Sequence, residues 1–167
     1  DPGIPAKIEV LPPIDSTPNP EIRRTVDRAS DVAFTQAGLE MALVAGGDLW
    51  VMDTKLREPR QVTHGASWAE SPVFSEDGKT LFAILDVDGK TDVYQIKRSD
   101  EDLYWWQNES FVTKNLTNDS AVESDLRMAP TGERLYFVRG LGDLVHTDLE
   151  GKNRVKLTKA FSPPDYD

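Results

Sequence analysis

Two histidines, His64 and His146, are the only bases of catalytic type in this chain of 167 residues. A serine-hydrolase centre needs a nucleophile, a base and an orienting acid brought together, often on a Gly-x-Ser-x-Gly elbow. The sequence contains no such elbow. His64 falls in an expected loop and His146 inside an apolar run, so neither is assigned a catalytic role. With no cysteine there is no thiol nucleophile, disulfide or thiolate metal site. Asp86, Asp88 and Asp92 crowd three carboxylates into seven residues, chemistry suited to a hard cation. The run lacks the rest of a cation-binding loop, and Asp88-Gly89 reads as the turn of a polar hairpin. Ser99–Asp102 reads as a solvated acidic loop. Three Asn-x-Ser/Thr sequons, at Asn108, Asn115 and Asn118, are treated as chance matches. No phosphate-cradling Gly loop, basic stripe or histidine pair is present, so no catalytic residue, metal site or cofactor is expected.

Aromatic residues are the other candidates. Tyr104, Trp105 and Trp106 are consecutive within a polar stretch, and three adjacent large rings cannot all enter one sheet. One reading gives them to a peptide or a neighbouring domain, where Tyr and Trp provide large contact area. The preferred reading folds the stretch back over its own sheet edge. Trp68, in an expected link, is a further surface contact, whereas Trp50 lies in a strand-like run and is expected in the core.

What would position these residues is a repeat. Val32–Gly38, Met41–Val44, Asp48–Asp53 and Arg60–Thr63 make one unit. Pro72–Gly78, Leu81–Ile84, Asp92–Ile96 and Lys114–Thr117 make a second, and Leu126–Gly132, Leu135–Val138, Asp143–Asp148 and Val155–Thr158 a third. Each unit has four short runs rich in Val, Ile, Leu, Tyr and Phe and bounded by Gly or Asp, a pattern of strands. Four strands per unit make a propeller blade. Gly38, Gly78 and Gly132 end the first turn of each unit, where a positive φ admits glycine without a Cβ clash. The step from the final Thr to the next first-strand residue is 11 residues both times, Thr63 to Phe74 and Thr117 to Met128. From turn Gly to final Thr the separations are 25, 39 and 26 residues, which places an insertion between Ile96 and Lys114.

The fold is therefore expected to be all-β: a β-propeller fragment of three blades, at 31–63, 71–117 and 124–158, with the start of another blade after them. Residues 1–30, with Pro12-Pro13 and Pro18-Asn19-Pro20, form a Pro-rich extension or the last strands of an upstream blade. Propellers close with four to eight blades, so an arc of three exposes strand edges suited to more blades or to self-association. The absence of an initiator Met marks the chain as a processed, engineered or excised piece. Nineteen Lys and Arg against 29 Asp and Glu give a net charge of −10, which argues against a nucleic-acid partner. No apolar run approaches the roughly 18 residues of a membrane span.

Ser75–Lys79, Asp48–Asp53 and the closing Leu116-Thr117 and Leu157-Thr158 resemble the WD-like repeat of Tol-system propellers and tricorn proteases. Together with Asp31–Thr35, Leu43–Met52, Tyr104–Asn108 and Pro164–Asp167, they look like the propeller region of bacterial tricorn-like serine proteases. The resemblance spans about residues 22–167. It implies a propeller that admits, filters or holds peptide substrate or packs on other domains of its chain, hydrolysis being performed elsewhere, in an extracytoplasmic or cytosolic setting, of which the resemblance favours the periplasmic or otherwise extracytoplasmic one. The family's Ser-Pro-Asp-Gly turn is Thr35–Gly38 in the first unit and Ala129–Gly132 in the third, and no catalytic residue of the family maps onto this segment. The expected function is a non-catalytic, substrate-gating propeller segment. The alternative is a Tol-type module that binds a protein partner with no protease attached.

Overall fold

The computed structural model describes residues 25, 27–55, 57–65 and 67–158. Three antiparallel sheets follow one another along the chain. The first holds β1 (Asp31–Phe34), β2 (Glu40–Ala45), β3 (Asp48–Asp53) and β4 (Pro59–Gln61). The second holds β5 (Ser67–Phe74), β6 (Thr80–Val87), β7 (Lys90–Arg98) and β8 (Phe111–Asn115). The third holds β9 (Glu123–Met128), β10 (Arg134–Arg139), β11 (Asp143–Asp148) and β12 (Val155–Lys156). Each sheet is a sequential four-stranded meander, and β1, β5 and β9 pack side by side. Sheets in radial sequence around adjacent first strands are blades of a β-propeller. The expected extension at 1–30 lies almost wholly outside the described residues, as does the expected blade start after 158.

The repeated sequence marks have a shared physical basis. At the first turn of each blade the glycine N–H donates to the carbonyl three residues back, Gly38 to Thr35, Gly78 to Ser75 and Gly132 to Ala129, at 2.8–2.9 Å. Their φ angles of 67°, 68° and 71° require the left-handed region. The first residue of each turn also pairs with the next strand: the backbone N–H groups of Thr35, Ser75 and Ala129 donate to the carbonyls of Glu40, Thr80 and Arg134. The closing threonines are equally specific. Thr63, Thr117 and Thr158 each accept on Oγ1 the backbone N–H of the third strand, from Leu49, Val93 and Leu144, at 2.9–3.0 Å. A hydroxyl thus ties the outermost strand to its neighbour where the ladder ends.

Two seams make the core. Ala42, Val44, Leu49 and Val51 of the first blade meet Phe74, Leu81, Ala83, Leu85 and Ile96 of the second. Phe82, Ile84 and Val93, on the opposite face of the second blade, meet Leu126, Leu135, Phe137 and Val145 of the third. Each large aliphatic or aromatic side chain buried here contributes about 1.5–3 kcal/mol. The two-residue period that sends Leu49 and Val51 inward sends Trp50 to the other face. Trp50 is consequently half-buried, not core, beside Leu43 in the register, with its indole N–H donating to the Ala45 carbonyl at 3.2 Å. Val32 and Phe34 are exposed on this same face of the first blade.

Candidate functional site

Each blade presents two rims. The turn rim carries the β1–β2, β5–β6 and β9–β10 turns. The link rim carries the β2–β3, β6–β7 and β10–β11 hairpins and the links between blades. The aromatic candidates divide between them.

On the turn rim, the 39-residue spacing resolves into a loop after β7 with one 3-10 turn, Trp105–Gln107. Trp105 does not face a partner. It is 0% exposed, edge-on to Phe74 at 5.6 Å and stacked on Phe111 at 5.9 Å. The Arg98 guanidinium lies 5.6 Å over its ring. Its indole N–H donates to the Gly78 carbonyl at 2.8 Å, and its backbone N–H to Glu40 Oε1 at 2.6 Å. The insert therefore reaches beyond its own blade edge, and Trp105 plugs the seam between the first and second blades. The expectation that Trp105 is a contact residue fails because a fully buried indole with its donor satisfied has nothing left to offer a ligand. Burial pushes the Glu40 carboxyl up, partly offset by the Trp105 N–H and by Arg98.

Tyr104 and Trp106 flank the plug on the outside. Tyr104 is exposed, Trp106 half-buried, and their rings are near parallel at 6.5 Å. Tyr104 borders a cleft of about 410 Å³ lined also by Gln36, Glu40, Asp77, Lys79 and Arg98. Hydrogen bonds hold the Asp77 carboxyl below its usual value, first from the Ser75 hydroxyl and then from the Lys79 N–H.

Trp68 is on the link rim. β5 begins at Ser67, so Trp68 stands on the innermost strand of its blade, not in a link. It is 59% exposed, with its ring laid against Gly47, where an added Cβ would sit 2.9 Å from Cε3. Sequence reasoning missed the residues that belong with it, although the repeat could have found them. Val122 lies 54 residues after Trp68, the same offset as Gly78 to Gly132, and Leu141 lies 54 after Val87. Val122 is 61% and Leu141 97% exposed. The same offset links Ser71 and Asp125, whose φ angles of 50° and 55° mark equivalent irregularities in β5 and β9. Between the first two blades Asp31 accepts the Ser71 N–H at 3.3 Å on Oδ2. Burial, then Asp31 and Asp125, push the Glu70 carboxyl up, so three acids from three blades share one electrostatic environment.

The polar candidates do not converge. Asp86 accepts the Gly89 N–H at 2.9 Å, which closes the hairpin. Asp92 turns into the blade, accepting the Thr117 hydroxyl at 2.7 Å and the Asn115 amide at 2.9 Å. Among the described residues no group of three His, Cys, Asp or Glu is placed to hold a metal ion, and no helix is long and apolar enough to cross a membrane. His64 borders a cleft of about 500 Å³ with Ser67 and Asp88, but the buried Ser67 hydroxyl has no hydrogen-bond partner, so a nucleophile–base pair is not formed there. His146 is buried against Tyr136 and Arg134.

No family model matches the chain, and no curated protein matches it. Among solved structures it is similar to a TolB-type protein from Agrobacterium tumefaciens, at 16% identity and a TM-score of 0.58, over 77% of this chain and 45% of that one. A 6-phosphogluconolactonase-type protein from Bacteroides uniformis aligns at 11% identity and a TM-score of 0.49, over 75% of this chain and 38% of that one. The chain thus spans less than half the length of either structure. The TolB-type likeness carries the fold and not the activity: residues 31–156 are a β-propeller segment of three consecutive four-stranded blades.

Proposed function

We propose that this segment is a non-catalytic interaction propeller that holds a peptide, or a peptide-like segment of a partner protein, on its link rim. The observation that carries the reading is the recurrence of exposed apolar residues at repeat-equivalent positions, Trp68 with Val122 and Val87 with Leu141, in blades whose innermost strands also carry the acids Asp31, Glu70 and Asp125. Apolar side chains next to carboxylates suit an extended peptide with apolar residues flanked by Lys or Arg, and the net charge of −10 favours the approach of such a segment. Tyr104 and Trp106 offer a second contact area on the turn rim.

The wider setting we propose is the propeller region of a tricorn-like serine protease, where the rim gates or holds substrate for hydrolysis performed elsewhere. The repeat grammar and the Tyr104–Asn108 insert support it. A Tol-type module recruiting a protein partner shares the same rim, and the TolB-type structural likeness supports that reading equally. A native polypeptide bearing a hydrolase domain beyond these blades favours the first, and one bearing blades alone the second. The binding claim itself is tested by titrating the purified chain with Lys-Leu-rich and Glu-Leu-rich extended peptides at low and high salt. Salt-sensitive binding of the basic series, weakened by Trp68→Ala, is expected; equal binding of both series removes the charge component.

A further inference from the structure

Glu123 opens the innermost strand of the third blade, 54 residues after Ala69, and takes the place that Ala69 fills in the apolar seam before it. It is 0% exposed, and neither carboxyl oxygen accepts a hydrogen bond. Its backbone N–H is anchored on the Thr91 hydroxyl of β7 at 3.2 Å, which ties the start of β9 to the second blade.

Four elements present charge to it. From β7 comes Asp92, from the link before β9 comes Asp119, from β10 comes Arg139, and from the loop before β12 comes Arg154. Glu123 itself is the contribution of β9. The two cations are already engaged by a rival acid. Arg139 Nη2 donates to Asp119 Oδ1 at 2.9 Å and Arg154 Nη1 to Asp119 Oδ2 at 2.7 Å, while Arg139 Nε stays 3.7 Å from Glu123 Oε1, outside hydrogen-bond range. A buried carboxylate without a hydrogen bond, facing two further carboxylates and offset only by a long ion pair to Arg139 and the more distant charge of Arg154, is costly for a core to hold.

We propose that the seam between the second and third blades is a pH-operated joint with Glu123 as its latch: closed while the carboxyl is neutral, and loosened when it ionises. Burial first, then Asp119 and Asp92, push its pKa from 4.5 up to about 7, which sets the window. An exposed Glu123 in the opened joint titrates near 4.5. Opening therefore grows more favourable as pH rises from about 4.5 and levels off above about 7.

The test is hydrogen exchange on the whole chain from pH 5 to 8, corrected for intrinsic rates. Protection of the β9 amides is expected to fall roughly tenfold per pH unit up to about pH 7, with the β2 amides unchanged. Glu123→Gln should abolish the slope. Glu123→Ala, which installs the residue found at the equivalent position of the second blade, is the alternative if the glutamine does not fold. A slope that survives in either variant, a flat wild type, or an equal slope in β2 overturns the joint.

Discussion

Trp105 and Gly47 show how much one residue decides here. The Trp105 indole closes the first seam through two ring contacts and one hydrogen bond, to the Gly78 carbonyl. Trp105→Ala is expected to cost about 3–5 kcal/mol, measured by urea unfolding. Tyr104→Ser, at an exposed ring on the same turn, should stay within about 0.5 kcal/mol. Gly47 has φ +90° and lies under Trp68. Gly47→Ala both strains the backbone and displaces the indole, with an expected loss of about 1–3 kcal/mol and a shift in tryptophan emission. If emission is unchanged, Trp68 does not rest on this glycine.

At the scale of elements, the strand pattern was legible because alternation and Gly turns are local signals. The closing Thr could be read too, since its hydroxyl serves a backbone N–H at a fixed offset. Thr117→Val leaves the Val93 N–H and Asp92 Oδ1 without that partner in a buried site, and should cost about 1–3 kcal/mol, seen as lost exchange protection at Val93. Trp105, Trp50 and Glu123 were not legible. Their fates depend on which blade face meets a neighbour, a tertiary fact that period-two counting does not contain. The link-rim set was legible in principle, because the 54-residue offset that aligns the turn glycines also aligns Trp68 with Val122. At the second seam, burial raises the Asp119 pKa, but the Ala121 N–H and the two arginines hold it below the usual carboxylate value. Its contribution is present above about pH 4 and lost as pH falls through the depressed value. With Glu123 acting in the opposite sense, the seam should be tightest in mildly acidic solution.

At the scale of the molecule, the proposed peptide site lies on the link rim of three blades, and a propeller hosts many unrelated activities, so the rim and not the fold carries the functional claim. Replacing Asp31, Glu70 and Asp125 by their amides should flatten the salt dependence of basic-peptide binding, measured by isothermal titration, while Trp68→Ala lowers affinity at every salt concentration. The most direct measurement is an exchange footprint of the bound basic peptide on the purified chain. Protection is expected at Trp68, the β6–β7 hairpin, Val122 and the β10–β11 hairpin, with the turn rim unaltered. Protection confined to Tyr104–Gln107 and the β1–β2 and β5–β6 turns would contradict it and move the binding site to the opposite rim.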